Sequence, residues 1–133
     1  MDHDAAKAYI RSHHHGVLAT IKRDGRPQLS HVSYMADDDG QIKISVTQDR
    51  AKTRNARRDP RVSLSVIGDD WYRYVVAEGT ATLVEGDPAL LRHVYRGVTG
   101  GEHPDWADYD AAMVRDGRLV LCIAIDRLYP LAG

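Results

Sequence analysis

The constraint that most limits this chain is a period of two. Apolar residues fall at every second position in successive short stretches, and side chains that alternate between two faces describe strands with one side buried. From Gly16 to Lys22, Val17, Ala19 and Ile21 alternate with Leu18 and Thr20. A second stretch, Leu29 to Met35, follows the turn Arg23-Asp24-Gly25-Arg26, where Asp-Gly is a hairpin signal because glycine takes the positive φ that a tight turn demands. After Asp37-Asp38-Asp39-Gly40, Ile42, Ile44 and Val46 oppose Lys43, Ser45 and Thr47. Val62, Leu64 and Val66 continue the pattern, and a long strand carries Val75, Ala77, Gly79, Ala81 and Leu83 on one face. The last, Arg118 to Leu128, is apolar on both faces across Leu119 to Ile125. Six strands joined by hairpins predict an antiparallel sheet closing on itself.

Helices interrupt that sheet. An amphipathic segment runs from Asp4 to about His14. Asp49 is positioned to cap a helix over Arg50 to Arg58, which Asp59-Pro60 halts. Asp87-Pro88 supplies a cap and an N1 proline ahead of Ala89 to Val98, and a shorter helix is expected from Asp105 to Val114. The fold class is therefore α+β, in one domain spanning residues 1–133.

Lys and Arg number 18 against 19 Asp and Glu, so the net charge of −1 gives no overall attraction to nucleic acid or to a membrane. Cys122 is the only cysteine, which excludes an intrachain disulfide framework and fits a reducing, cytoplasmic setting. It reads as a small buried residue. No apolar run approaches the ~18 residues of a membrane span.

Against this balanced background one segment stands out. Arg50, Lys52, Arg54, Arg57, Arg58 and Arg61 place six cations within twelve residues, with Asp59 alone opposing them. Arg50 and Lys52 fall at the expected helix start, where cations oppose the macrodipole. Free backbone N–H groups and two cations at one helix start describe an anion site, most economically for a phosphate. Gln28 and Ser30 on the second strand, and Ser45 and Thr47 on the third, offer short polar groups to a planar heterocycle if those strands pair. Three successive histidines, His13, His14 and His15, cannot converge on one metal ion, because helix and strand both send neighbouring side chains apart. His31, His93 and His103 are isolated, and Glu102-His103 with Asp105 and Asp108 forms an acidic loop. No dinucleotide fingerprint, phosphate-binding loop or nucleophile elbow is present, so any chemistry comes from a bound cofactor.

Three runs then point to a family: Gly16 to Ser30, Asp49-Arg50-Ala51-Lys52-Thr53-Arg54-Asn55 with Arg58-Asp59-Pro60, and Ala77-Glu78-Gly79-Thr80-Ala81. They resemble the pyridoxamine 5′-phosphate oxidase-like split-barrel flavoproteins, and within them the actinobacterial branch that uses the deazaflavin coenzyme F420. The run Gly101 to Tyr109 is similar to that branch as well. The resemblance implies a six-stranded antiparallel split β-barrel with short flanking helices, acting as a homodimer with cofactor at the interface. It carries Arg50, Ala51 and Lys52 to the phosphate site, and Gln28, Ser30 and Ser45 to the ring or its side chain. Arg54, Asn55 and Arg57, with Arg58, stand near the phosphodiester and glutamate tail, and Trp71 and Tyr72 are ring-side or partner-chain contacts. The expected activity is hydride transfer from reduced F420 to a small electron-poor acceptor. An FMN-dependent enzyme of the same barrel and a non-catalytic F420-binding protein are the alternatives. No catalytic side chain is assigned, and solvent, Tyr72, Tyr74 and His103 stay open as proton donors.

Overall fold

The computed structural model describes residues 1–131. The alternating segments form strands β1 (His15–Ile21), β2 (Pro27–Ser33), β3 (Met35–Ala36), β4 (Ile42–Thr47), β5 (Arg61–Ile67), β6 (Val75–Val84) and β7 (Arg118–Tyr129). Around them lie helices α1 (His3–Ser12), α2 (Ala51–Arg58), α3 (Pro88–Thr99) and α4 (Trp106–Asp116). All pairings are antiparallel, in the order β2-β1-β5-β6-β7-β4-β3. The fold is α+β with a curled sheet, as the sequence predicts.

Two expectations need correction. Among the described residues the strands number seven, and the sheet does not close through hydrogen bonds, since β2 and β3 remain its two edges. Both differences have one cause at Tyr34, which interrupts the single strand expected over Leu29 to Met35. Its amide donates to the His14 carbonyl (2.8 Å). Its fully buried hydroxyl donates to the Ile10 carbonyl (2.7 Å), anchoring the chain under α1. Before this corner the chain pairs with β1; after it, β3 pairs with β4 on the other side of the sheet.

The inner face is lined by Leu18, Ile42, Ile44, Val46, Leu64, Val66, Leu121 and Ile123. The outer face of β7 buries Val120 and Cys122 beneath Leu91 and Val94 of α3 and Tyr109 of α4, which is why β7 is apolar on both sides. Burial also pushes the Cys122 thiol pKa up, which keeps it protonated and unreactive. A bulge at Glu78/Gly79 lets β6 follow the curve, and a Cβ at Gly79 would stand 2.3 Å from the Ala124 carbonyl oxygen. Asp87 caps α3 by accepting from the Leu90 amide (3.0 Å), and Asp105 caps α4 through the Asp108 amide (3.1 Å). No helix among the described residues is long and apolar enough to cross a membrane.

A buried ionic knot ties α3 to the β3–β4 turn. Lys43 Nζ reaches Asp37 Oδ2 (2.7 Å) and Asp39 Oδ2 (2.8 Å), and His93 Nε2 lies 2.9 Å from Asp37 Oδ2. Burial raises the Asp37 pKa, but hydrogen bonds with Lys43 and His93 outweigh it and bring the group to about 2. A carboxylate with a depressed native pKa adds stability that is complete above its unfolded value and lost as pH falls through the native one. The stability gap between wild type and Asp37→Asn is therefore predicted to narrow from about pH 4 to about pH 2 in urea unfolding. A constant gap over that range would contradict the knot.

Candidate functional site

The chain leaves β4 at Thr47 and turns at once into α2. Thr53 Oγ1 donates to the Thr47 carbonyl (2.7 Å) and fixes the junction. The N-cap is Arg50, not Asp49 as the sequence suggests, and no side chain caps this helix. Arg50 offers no acceptor, so the first-turn amides lack the partner that Asp, Ser or Thr would give. No acidic residue lies in that turn to offset the dipole.

A third cation joins from a distant part of the sequence. Arg118 opens β7 directly opposite Thr47. Its Nη1 donates to the Ser45 carbonyl (3.3 Å), while its Nε is buried without a partner. Half-buried Lys52 has its pKa lowered by burial and then by the positive charges of Arg50 and Arg118. Among the described residues none of these three cations has a carboxylate within 4.0 Å. Repelling cations around an uncapped helix start are an arrangement that a bound anion would stabilise.

Lys52 and Arg118 stand at the polar end of a cleft of about 430 Å³. One wall is His31, Val32 and Ser33 of β2 with Ser45 of β4. The other is Val94, Tyr95 and Val98 of α3 with Tyr109 and Met113 of α4. A second cavity, of about 550 Å³, is lined by Thr47, Asp49, Arg50, Asp116 and Arg118, so Arg118 belongs to both. The volumes suit a ring-bearing ligand with an anionic group.

The structure sorts the other candidates. β2 and β4 do not pair, so Gln28 and Ser30 are not ladder neighbours of Ser45 and Thr47; the two strands meet across the split of the sheet, where His31, Val32 and Ser33 rather than Gln28 and Ser30 line the cleft with Ser45. Gln28 instead accepts from Thr20 Oγ1 (3.1 Å) and donates to Ser30 Oγ (2.9 Å). Asn55 Nδ2 donates to Thr20 Oγ1 (3.2 Å), and Arg58 donates to Asn55 Oδ1 (3.1 Å) and to the Ile21 carbonyl (2.6 Å). This chain of bonds seats α2 on β1. Arg57 pairs with Glu85 (2.7 Å) and Arg61 with Asp59 (2.8 Å), which leaves Arg54 and Arg50 as the unpaired arginines of the basic run. Ala51 is the exposed first residue of α2. Trp71 and Tyr72 are 86% and 89% exposed between β5 and β6, and neither lines the cleft.

The histidine run diverges as expected. His13 stacks on Tyr9 with its Nδ1 2.7 Å from the Tyr9 carbonyl, while His14 Nδ1 lies 3.1 Å from the Tyr34 carbonyl. No metal-binding cluster is found among the described residues. The run Gly101 to Tyr109 is scaffold. Trp106 Nε1 donates to Glu102 Oε2 (2.9 Å), Arg96 Nε to Glu102 Oε1 (2.8 Å), and His103 packs with Tyr95, Trp106 and Tyr109. Tyr109 donates to the Leu91 carbonyl (3.0 Å), so this cluster holds the aromatic wall of the cleft in place. Sequence reasoning missed His31, Ser33 and Arg118, for which no local motif exists; only the curl of the sheet, which brings edge strand β2 against the β4–β7 side, places them on one cleft.

A family model described as pyridoxamine 5′-phosphate oxidase matches residues 2–132. A conserved hypothetical protein of Mycobacterium tuberculosis is 30% identical, with a TM-score of 0.77, over 100% of this chain and 91% of that one. An F420 reductase is 25% identical, with a TM-score of 0.66, over 92% and 94% of the two chains. A heme-binding protein of Mycobacterium smegmatis, 22% identical with a TM-score of 0.64 over 96% of this chain and 53% of that one, shares the fold alone.

Removing Lys52 takes away a charge that an anion at this helix start would meet, and relieves its repulsion with Arg50 and Arg118. Lys52→Ala is predicted to weaken pyrophosphate binding by about 1.5–3 kcal/mol, with the melting temperature unchanged or raised. Calorimetry and thermal melting check the two halves; full affinity with a lower melting temperature would make Lys52 a structural residue.

Proposed function

Since the chain belongs to the pyridoxamine 5′-phosphate oxidase family, we propose that it is an oxidoreductase that uses coenzyme F420 to reduce a small, electron-poor organic acceptor. The observation that carries this reading is the uncapped start of α2, where Arg50, Lys52 and Arg118 stand unpaired beside a ring-sized cleft. The buried, partnerless Nε of Arg118 and the depressed pKa of Lys52 fit a bound oxyanion. When bound, reduced F420 would supply the hydride from C5 of its deazaflavin ring.

This chain's residues supply the rest. The first-turn amides of α2 with Arg50 and Lys52 hold the phosphate and fix the cofactor's position. Ser45 and His31 offer hydrogen bonds along the cleft. Val94, Val98 and Met113 keep its far wall apolar, and Tyr95 and Tyr109 give planar surface for stacking. His103 is packed among aromatics, with Nδ1 accepting the Asp105 amide (2.9 Å), and Tyr72 and Tyr74 are exposed outside the cleft. Within one protomer, water entering the open cleft therefore supplies the proton in this reading.

F420 is favoured over FMN by the 25% identical F420 reductase and by unpaired cations beyond those one phosphate needs, Arg54 among them. The pairing of Arg57 with Glu85 and the use of Arg58 to hold α2 favour FMN as the second reading, because fewer cations remain for a polyanionic tail. The same pairings break up the basic run and argue against nucleic-acid binding. Fluorescence titration with F420 and FMN, followed by turnover of reduced F420 with a panel of enones and quinones, tests the proposal. Tighter binding of F420 with turnover is expected. Exclusive FMN binding would overturn the F420 assignment, and F420 binding without turnover of any acceptor would leave a carrier.

The site is proposed to be completed in a homodimer. Leu29 on edge strand β2 is 63% exposed, and Ile67, Trp71, Tyr72 and Tyr74 add apolar surface near one end of the sheet. A second copy covering this surface would bring Trp71 and Tyr72 toward the partner's cofactor. Light scattering is predicted to give twice the 14.8 kDa chain mass, and a monomer at micromolar concentration would contradict it.

A further inference from the structure

Away from the cofactor cleft, a further cavity of about 460 Å³ shares no lining residue with it. Its walls are α1, through His3, Lys7, Ile10 and Arg11, the β3–β4 turn from Ala36 to Gln41, and the last part of β7 from Ala124 to Leu128. β4 pairs with β7 only from Arg118 to Ile123, so beyond Ile123 the strand pairs with β6 alone. The edge of β7 that β4 leaves uncovered adds backbone N–H donors to the cavity wall. The floor is apolar, with Ile10 and Leu128 buried and Ile125 half-buried.

The charges of the lining divide into those already engaged and those left free. Asp37 and Asp39 are held by Lys43, Asp38 pairs with Arg11 (2.9 Å), and Asp126 accepts from the Thr80 hydroxyl (2.9 Å). Every carboxylate on the cavity therefore has a donor. On the other side, His3, Lys7 and Arg11 fall at i, i+4 and i+8, so α1 turns one cationic stripe to the cavity. Among the described residues neither Lys7 nor Arg127 has a carboxylate within 4.0 Å. What remains for a ligand is positive charge on α1 and β7 above an apolar floor.

We propose that this cavity is a second ligand site, which takes an organic carboxylate with an apolar body about the size of two fused rings. The body lies on Ile10, Ile125 and Leu128, and the carboxylate is held by Lys7 and Arg127. This assignment is independent of the cofactor reading, and none of the exposed apolar residues assigned to the dimer lines the cavity.

Isothermal titration calorimetry with 2-naphthoate and with the uncharged 2-naphthamide tests the proposal. Wild type is expected to bind 2-naphthoate about tenfold or more tighter than the amide. Lys7 and Arg127 are exposed, so Lys7→Ala and Arg127→Ala leave the core intact; each is expected to weaken 2-naphthoate about threefold, while Lys52→Ala leaves its affinity unchanged. No heat of binding at millimolar 2-naphthoate, equal affinity for acid and amide, or full affinity in both Lys7→Ala and Arg127→Ala would overturn it. A loss of 2-naphthoate affinity in Lys52→Ala would place the probe in the cofactor cleft and overturn it as well.

Discussion

The corner at Tyr34 is the constraint on which the rest of the molecule depends. A fully buried tyrosine with its hydroxyl on the Ile10 carbonyl and its amide on the His14 carbonyl leaves the chain no way to continue as one strand. The break sends β2 to one edge of the curled sheet and β3 to the other, so the barrel stays split. Across that split, His31, Val32 and Ser33 meet Ser45 and the start of α2. The opening that could have been a packing fault is thereby the place where a ligand can sit.

Electrostatics then set the kind of ligand proposed. Three of the six charges of the basic run are satisfied internally: Arg57 by Glu85, Arg58 by the Ile21 carbonyl and Asn55, and Arg61 by Asp59. The ones left over gather where the dipole of α2 already disfavours them, and Arg118 adds a further positive charge from β7. Two aspartates cap α3 and α4 in the ordinary way, whereas α2 starts on an arginine. That contrast within one small protein is the ground on which the α2 start is proposed as an anion site.

Legibility from the sequence followed the range of the interactions. Local signals read true at the Asp24-Gly25 turn with Gly25 at φ 88°, the Asp87-Pro88 helix start and the doubly buried β7, whereas β4, one-sided by its alternation, has Lys43 buried on its other face against Asp37 and Asp39. Asp49 was misleading, because its composition suits a cap while the junction held by Thr53 moves the helix start one residue on. Gln28 and Ser30 are on a polar strand face, yet they bond to each other and, through Gln28, to Thr20, which Asn55 in turn reaches, under a strand order that periodicity does not encode. Arg118 carried no signal at all. It reads as the polar first residue of an apolar strand, and becomes part of the site only through its register opposite Thr47.

The central claim is that the start of α2 and the start of β7 together hold the cofactor's phosphate. The most direct measurement is a crystal structure of the protein with F420 bound. The account predicts the phosphodiester within hydrogen-bonding distance of Lys52 Nζ, the Arg118 guanidinium and the first-turn amides of α2, with the deazaflavin ring in the cleft beside Tyr95. A phosphodiester bound elsewhere, or one that leaves Lys52 and Arg118 without contact, would contradict it.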